Sequence, residues 1–122
     1  MKPANKLYHY SAEVVRVVDG DTVDAFVDLG FDMHSKQRVR LYGINTPECR
    51  TRDLVEKAAG LKAKERLKCL LRENKNKCII ETRLDKKGKY GRVLGVLHID
   101  KTNLNKTLVA EGHAKRYYGE KR

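Results

Sequence analysis

Gln37-Arg38-Val39-Arg40-Leu41-Tyr42-Gly43-Ile44-Asn45-Thr46-Pro47 begins in strict alternation and ends on a proline, shortly before the chain changes its period. Val39 and Leu41 share one face and Arg38 and Arg40 the other, which predicts a half-buried strand over 37–44. Pro47 cannot continue a sheet ladder. From Asp53 to Glu73, Val55, Ala59, Ala63, Leu67 and Leu70 recur at helical spacing, and this predicts an amphipathic helix with those residues inward. Gly60 weakens its middle by about 1 kcal/mol against alanine. Upstream, Tyr8 to Val18 reads as a strand. After Asp19-Gly20-Asp21 a second strand follows, in which Val23, Ala25, Val27 and Leu29 alternate with Asp24, Phe26 and Asp28; Gly30 to Ser35 is a turn. Downstream, Lys77 to Leu84 and Arg92 to Ile99 are strands around a polar loop. A short helix spans Asn103 to Glu111, with Gly112 at its C′ position. A helix after the third of five strands, and a short one after the fifth, predicts an α+β fold: a five-stranded Greek-key barrel of the OB type.

The chain of 122 residues is expected to form a single domain, 1–122, with one modest core. Its 27 Lys+Arg against 16 Asp+Glu leave a formal charge of +11, which points to polyanions, nucleic acid first and an anionic membrane surface second. Residues 1–60 are balanced in charge, so the whole excess lies beyond Gly60. No apolar run approaches the roughly 20 residues that span a bilayer. Nothing apolar follows Met1-Lys2-Pro3, so a secretory signal peptide is not expected and the expectation is a cytoplasmic monomer. Three cysteines, Cys49, Cys69 and Cys78, without a C-x-x-C pair suggest free thiols, with Cys69 and Cys78 as small core hydrophobes. His9, His34, His98 and His113 are scattered, so a structural zinc site is not expected.

Two turns carry oxygen ligands. Asp19-Gly20-Asp21 is an ordinary turn signal, and an EF-hand beginning at Asp19 fails at its sixth and twelfth positions. Asp21 nevertheless shares the inward parity of Val23 and Val27, which puts a carboxylate at a barrel mouth. Asn45-Thr46-Pro47-Glu48 is the second such turn; Arg40 precedes it on the polar face of its strand, and Arg92 opens the fifth strand. Carboxylates, an amide and two arginines drawn from separate loops are what phosphodiester hydrolysis requires. A hard cation polarises the phosphoryl oxygen, a carboxylate takes a proton from water, and guanidinium groups bind the spread charge in bidentate geometry.

Val18-Asp19-Gly20-Asp21-Thr22-Val23, then Val39 to Glu48, then Lys89-Tyr90-Gly91-Arg92, then Leu104-Asn105 with Leu108 to Ala114, resemble in order the staphylococcal nuclease (thermonuclease) family. The likeness runs from about Glu13 to Tyr118. It implies that Asp21 and the Thr46 carbonyl are Ca²⁺ ligands and that Asn45 stands where active members usually carry a ligating aspartate. Glu48 would be the general base, Arg40 and Arg92 would bind the scissile phosphate, and Lys89, Tyr90 and Tyr118 would contact the bound nucleotide. Asp19 would act behind the ligands. The family reaction is Ca²⁺-dependent cleavage of DNA and RNA, with a preference for single strands, leaving 3′-phosphate ends.

Asn45 supplies an oxygen but no charge, so weakened or retuned metal binding is expected, with Mg²⁺ or Mn²⁺ as alternatives. The chain stops soon after Tyr118, where the best-known member continues into another helix, and lower stability is the expectation. Without a leader, scarce intracellular Ca²⁺ suggests a phage or mobile-element setting. The competing reading is a catalytically inactive module that only binds nucleic acid, as in the degenerate domains of Tudor-SN proteins. Asp21, Arg40, Glu48 and Arg92 together favour the enzyme, because a pure binder needs no base beside its phosphate clamp. Aromatic content of 7% without tryptophan also argues against a base-stacking platform. Adhesion to membrane lacks an amphipathic helix with aromatic anchors.

Overall fold

The computed structural model describes residues 8–83 and 93–117. Three antiparallel strands come first: β1 (His9–Asp19), β2 (Thr22–Gly30) and β3 (Met33–Leu41). A two-residue strand β4 (Ile44–Asn45) leads to helix α1 (Leu54–Arg72), followed by β5 (Lys77–Arg83) and β6 (Val93–Ile99). The short β7 (Thr102–Asn103), helix α2 (Leu104–Ala110) and short β8 (Lys115–Arg116) complete the order. The main sheet runs β3-β2-β1-β5-β6-β7, and β3 also pairs in parallel with β6 through Val39↔Val93 and Leu41↔Gly95. That pairing closes five strands into a barrel, the predicted architecture. A Cβ on Gly95 would lie 2.9 Å from both Ile80 and Val39, so only glycine lets the closing strands approach.

Inside the barrel lie Val23, Ala25, Val27, Val39 and Leu41, all on the expected alternating parity, together with Ile80 and Leu97. Two departures in β2 have physical causes. Asp24 is buried because Arg38 across the β2–β3 ladder holds its carboxylate through Nε at 2.8 Å and Nη2 at 3.2 Å. Leu29, expected inward, is 46% exposed because it lies in the hairpin beyond the end of the core. That hairpin turns on two residues, Phe31 and Asp32, with φ of 56° and 58°, so β3 begins at Met33 and not at Gln37. The usual Asn-Gly marker of such a turn is missing, and Met33 to Lys36 carries no apolar alternation. The third strand also ends sooner than expected, at Leu41; Gly43, at φ 79°, separates it from β4.

Helix α1 starts at the Asp53 cap, whose carboxylate accepts from the Val55 and Glu56 amides at 3.0 and 3.2 Å. Its buried face is Gly60, Ala63, Leu67 and Leu71. Val55, expected inward, is 82% exposed, and Ala59 is exposed too, because the helix meets the barrel only from its second turn onward. Leu67 and Leu71 join the core, and Leu70 packs against it. In α2, Gly112 has φ 82° and donates to Val109 O at 3.1 Å while His113 donates to Leu108 O at 2.9 Å, the expected glycine-terminated C-cap. A bidentate pair, Arg66 Nε and Nη2 on Glu111 at 2.7 and 2.9 Å, ties α1 to the end of α2. Among the described residues no helix is long and apolar enough to cross a membrane.

Candidate active site

The two oxygen-bearing turns, remote in sequence, meet. Gly20 and Asp21 form the tight turn between β1 and β2, so Asp21 lies in the turn itself, buried, one position before the strand. Its Oδ1 accepts from Thr22 Oγ1 at 3.0 Å and its Oδ2 from the Thr46 amide at 3.0 Å. The second bond stitches the first turn to the second. Arg40 joins them from the polar face of β3. Nη1 donates to Leu41 O and Ile44 O, both at 2.9 Å, and lies 3.6 Å from Asp21 Oδ2; Nη2 donates to Asn45 Oδ1 at 3.3 Å. Two main-chain carbonyls therefore orient the guanidinium, whose side chain is only 14% exposed.

Small residues on α1 seat both turns. A Cβ on Gly20 would meet Ala63 Cβ at 2.7 Å, and a Cβ on Gly60 would meet the Glu48 carbonyl at 2.6 Å. Gly60 thus sits mid-helix, despite its helical cost, because the main chain that carries Glu48 lies directly on it. The Glu48 amide donates to Glu56 Oε2 at 3.2 Å, a second tether from α1, and the Glu48 residue is exposed to solvent. Behind the site, the Cys49 thiol donates to Asp19 Oδ1 at 2.6 Å, and burial, followed by that carboxylate, pushes the thiol pKa up.

Strand β8 holds the second turn from the other side. Ile44 pairs with Arg116 and Asn45 with Lys115, and the Tyr117 amide donates to Gly43 O at 2.9 Å. Asn105, buried at the start of α2, supports the same segment: its Nδ2 donates to Tyr42 O at 2.8 Å and to Gly95 O at 3.2 Å, and its Oδ1 accepts from the Leu97 amide. A cleft of about 550 Å³ opens beside these parts, lined by Asn45, Thr46, Glu48, Glu56, Arg116 and Tyr117. Sequence reasoning missed Glu56, Asn105 and β8 as parts of the site's frame. The quoted Leu104-Asn105 motif was the one signal for Asn105.

Asp21, Arg40, Asn45, Thr46 and Glu48 are thus gathered around one pair of turns. Arg92, Lys89, Tyr90 and Tyr118 lie outside the described residues, as does the polar loop around them. The donors available to a cation are all oxygens: the Asp21 carboxylate, the Asn45 amide oxygen and the Thr46 carbonyl. Among the described residues, Thr46 Oγ1 is a buried polar atom without a hydrogen-bond partner. This donor set fits a hard divalent cation, although it brings one full negative charge from Asp21 where two carboxylates would bring two. A further group of metal-capable side chains, His9, Glu81 and His98, gathers on other strands and contains none of the expected ligands. The histidines expected to be scattered are therefore partly brought together, by cross-strand pairing that no sequence spacing displays.

Comparison with known proteins agrees with this frame. Residues 38–122 match the family described as staphylococcal nuclease homologue. The micrococcal nuclease of Shigella flexneri is 34% identical over 91% of this chain and 62% of its own length. The thermonuclease of Staphylococcus hyicus is 30% identical over 84% of this chain and 57% of its own. The SPbeta prophage-derived endonuclease YokF of Bacillus subtilis is 31% identical over 84% of this chain and 33% of its own. The chain thus spans less than two thirds of each of these relatives. A closed barrel, two turns that meet at Asp21 and Thr46, and a family match over most of the chain lead to one assignment: the chain belongs to the staphylococcal nuclease family.

Proposed function

We propose that the chain is a divalent-metal-dependent nuclease that hydrolyses phosphodiester bonds in DNA, RNA or both. Ca²⁺ is the preferred ion, single strands the preferred substrate, and 3′-phosphate ends the product. The observation that carries this reading is the Asp21–Thr46 bond, which brings an oxygen donor set against an arginine already oriented by two carbonyls. The relatives named as nucleases support it.

Asp21, Asn45 and the Thr46 carbonyl would hold the ion, which when bound polarises a phosphoryl oxygen. Arg40, fixed in orientation by Leu41 O and Ile44 O, binds the scissile phosphate through its guanidinium. Glu48, exposed at the cleft, accepts the proton of the attacking water on its carboxylate, a contribution of about 10²–10⁴ in rate. Water oxygen bonds to phosphorus, the bond to the 5′-oxygen breaks, that oxygen takes a proton from solvent to leave as a hydroxyl, and the phosphate stays on the 3′ side. Arg92 supplies a second guanidinium to the charge of the transition state. Lys89, Tyr90 and Tyr118 hold the nucleotide. The basic excess beyond Gly60 attracts the polyanion, so binding falls steeply with salt. A single-domain cytoplasmic monomer, in a phage or mobile-element setting, completes the proposal; the prophage-derived relative supports the setting.

A second reading, nucleic-acid binding without cleavage, is favoured by one observation: Arg40 Nη2 donates to the Asn45 oxygen that a cation would use, and Asn45 is neutral. Hydrolysis of single-stranded DNA with Ca²⁺, Mg²⁺, Mn²⁺ or EDTA separates the two. The nuclease cleaves with at least one ion, stops in EDTA and loses activity in Glu48→Gln. A module that only binds shows no cleavage with any ion and keeps its affinity in that variant. Asn45→Asp lowers the Ca²⁺ concentration for half activity; an unchanged titration removes position 45 from the ligand set.

A further inference from the structure

We propose that His9, Glu81 and His98 form a second metal site, for a divalent transition ion of the Zn²⁺ type, distinct from the oxygen-lined turns. The sheet register builds it. His9 of β1 stands directly across from Glu81 of β5, and His98 of β6 pairs with Ile79, diagonal to Glu81. Ile80 and Leu97 point into the barrel, so all three residues share its outer face. One carboxylate oxygen is the focus: Glu81 Oε1 lies 2.9 Å from His98 Nε2 and 3.6 Å from His9 Nε2. The three ligand atoms all fall within 4.8 Å of one another, and the two imidazoles stack at 6.2 Å with 23° between their planes.

The arrangement has the features of a ligand set. Zinc takes imidazole nitrogen at about 2.0–2.1 Å and carboxylate oxygen at about 2.0–2.2 Å, which separates neighbouring ligands on one ion by roughly 3.3–3.5 Å. The two distances to Glu81 Oε1 bracket that separation, and the two imidazole nitrogens, within 4.8 Å of each other, close to it by side-chain rotation as the ion enters. Arg83 Nη2 holds the other oxygen, Oε2, at 2.6 Å, the kind of outer partner that orients a ligating carboxylate. Glu81 and His98 also line a cleft of about 760 Å³, which gives an ion a path in and leaves positions for water. Two imidazole nitrogens do not suit Ca²⁺, which takes oxygen ligands, so the two sites discriminate between ions by donor type. An ion here would tie the start of β1 to β5 and β6.

The test uses the full chain, stripped with EDTA, dialysed and held in excess Ca²⁺. Zn²⁺ is titrated by calorimetry and Co²⁺ by its visible absorption. One equivalent of Zn²⁺ is expected to bind, and a concentration near a hundred times Kd is expected to raise Tm by about 10 °C. Co²⁺ is expected to give d–d bands. His98→Gln and His9→Gln, confirmed as folded by metal-free melting curves, each weaken Zn²⁺ binding by about tenfold or more, and Glu81→Gln weakens it similarly. His34→Gln leaves it unchanged. Absence of Zn²⁺ binding at millimolar concentration overturns the proposal and leaves a plain His–Glu–Arg network. Binding that survives His9→Gln with His98→Gln, or that fails when Cys49 or Cys69 is replaced instead, also overturns it.

Discussion

Replacing Gly60 with alanine sets a gain in helix propensity against a collision at the proposed base. A methyl group there would stand 2.6 Å from the carbonyl carbon and oxygen of Glu48 and 2.7 Å from Pro47 O. Ordinary contact begins at 3.4 Å, so the gap must open by about 0.8 Å. The helix is the less compliant partner, because Leu67 and Leu71 are anchored in the core. The turn therefore moves, and it carries Asn45, Thr46 and Glu48 together. Alanine contributes about 1 kcal/mol to the helix, while overpacking costs about 1–3 kcal/mol. The net effect expected in urea denaturation is a loss of roughly 0–2 kcal/mol. Misplacing reacting groups by about 1 Å costs on the order of 10²-fold in rate, so kcat on single-stranded DNA should fall roughly 10- to 100-fold while the fold survives. Lys62→Ala, on the exposed side of α1, serves as the control and should leave kcat unchanged. A Gly60→Ala protein that is about 1 kcal/mol more stable and fully active would refute both the close approach and its coupling to Glu48.

Three further outcomes follow from the described contacts. Asn105→Ala strands the buried Leu97 amide and takes a donor from the Tyr42 and Gly95 carbonyls, of which Gly95 O keeps the Tyr42 amide, so urea unfolding should show a loss of roughly 2–4 kcal/mol, and a loss under about 1 kcal/mol would contradict the network. The Arg38 hydrogen bond holds Asp24 below its ordinary pKa, so its stabilisation is present above about pH 4 and is lost as pH falls through the depressed folded value. The stability gap between the wild type and Asp24→Asn should accordingly narrow in acid, and a gap constant from neutral pH to pH 2 would refute the pairing. Burial pushes the Cys78 thiol up to about 12, so Ellman's reagent at pH 8 should label Cys69 first and reach Cys78 only on unfolding; rapid native labelling of Cys78 would contradict its burial.

The residues differ in how openly they declare their structural roles. The barrel is legible because alternation over Val23 to Val27 and at Val39 and Leu41 reports a buried face, and Gly112 marks a helix end by its freedom at positive φ. The inward face of α1 is misread at Val55 and Ala59, because helical spacing records which side is apolar but not where the helix first touches the sheet. Gly60 looks like a defect until the Glu48 main chain is seen resting on it. Strands β4 and β8, two residues each, are too short to leave any period. The turns at Asp21 and Asn45 are recognisable as oxygen-rich, yet the amide-to-carboxylate bond that joins them belongs to tertiary structure alone. His9 and His98, far apart in the sequence, meet through registers set on both sides of β5.

The β4–β8 pairing carries a consequence for the order of assembly. Asn45 acquires its main-chain partner only when Lys115 arrives, although the rest of its turn lies in the first half of the chain. Closing so long a loop costs entropy that other contacts must offset. The barrel strands and α1 can reach native packing while the turn that bears Asn45 and Glu48 still lacks its far wall. Strand β8 thus acts as a latch: the turn that bears Asn45 gains its far wall from a segment that lies far downstream of it.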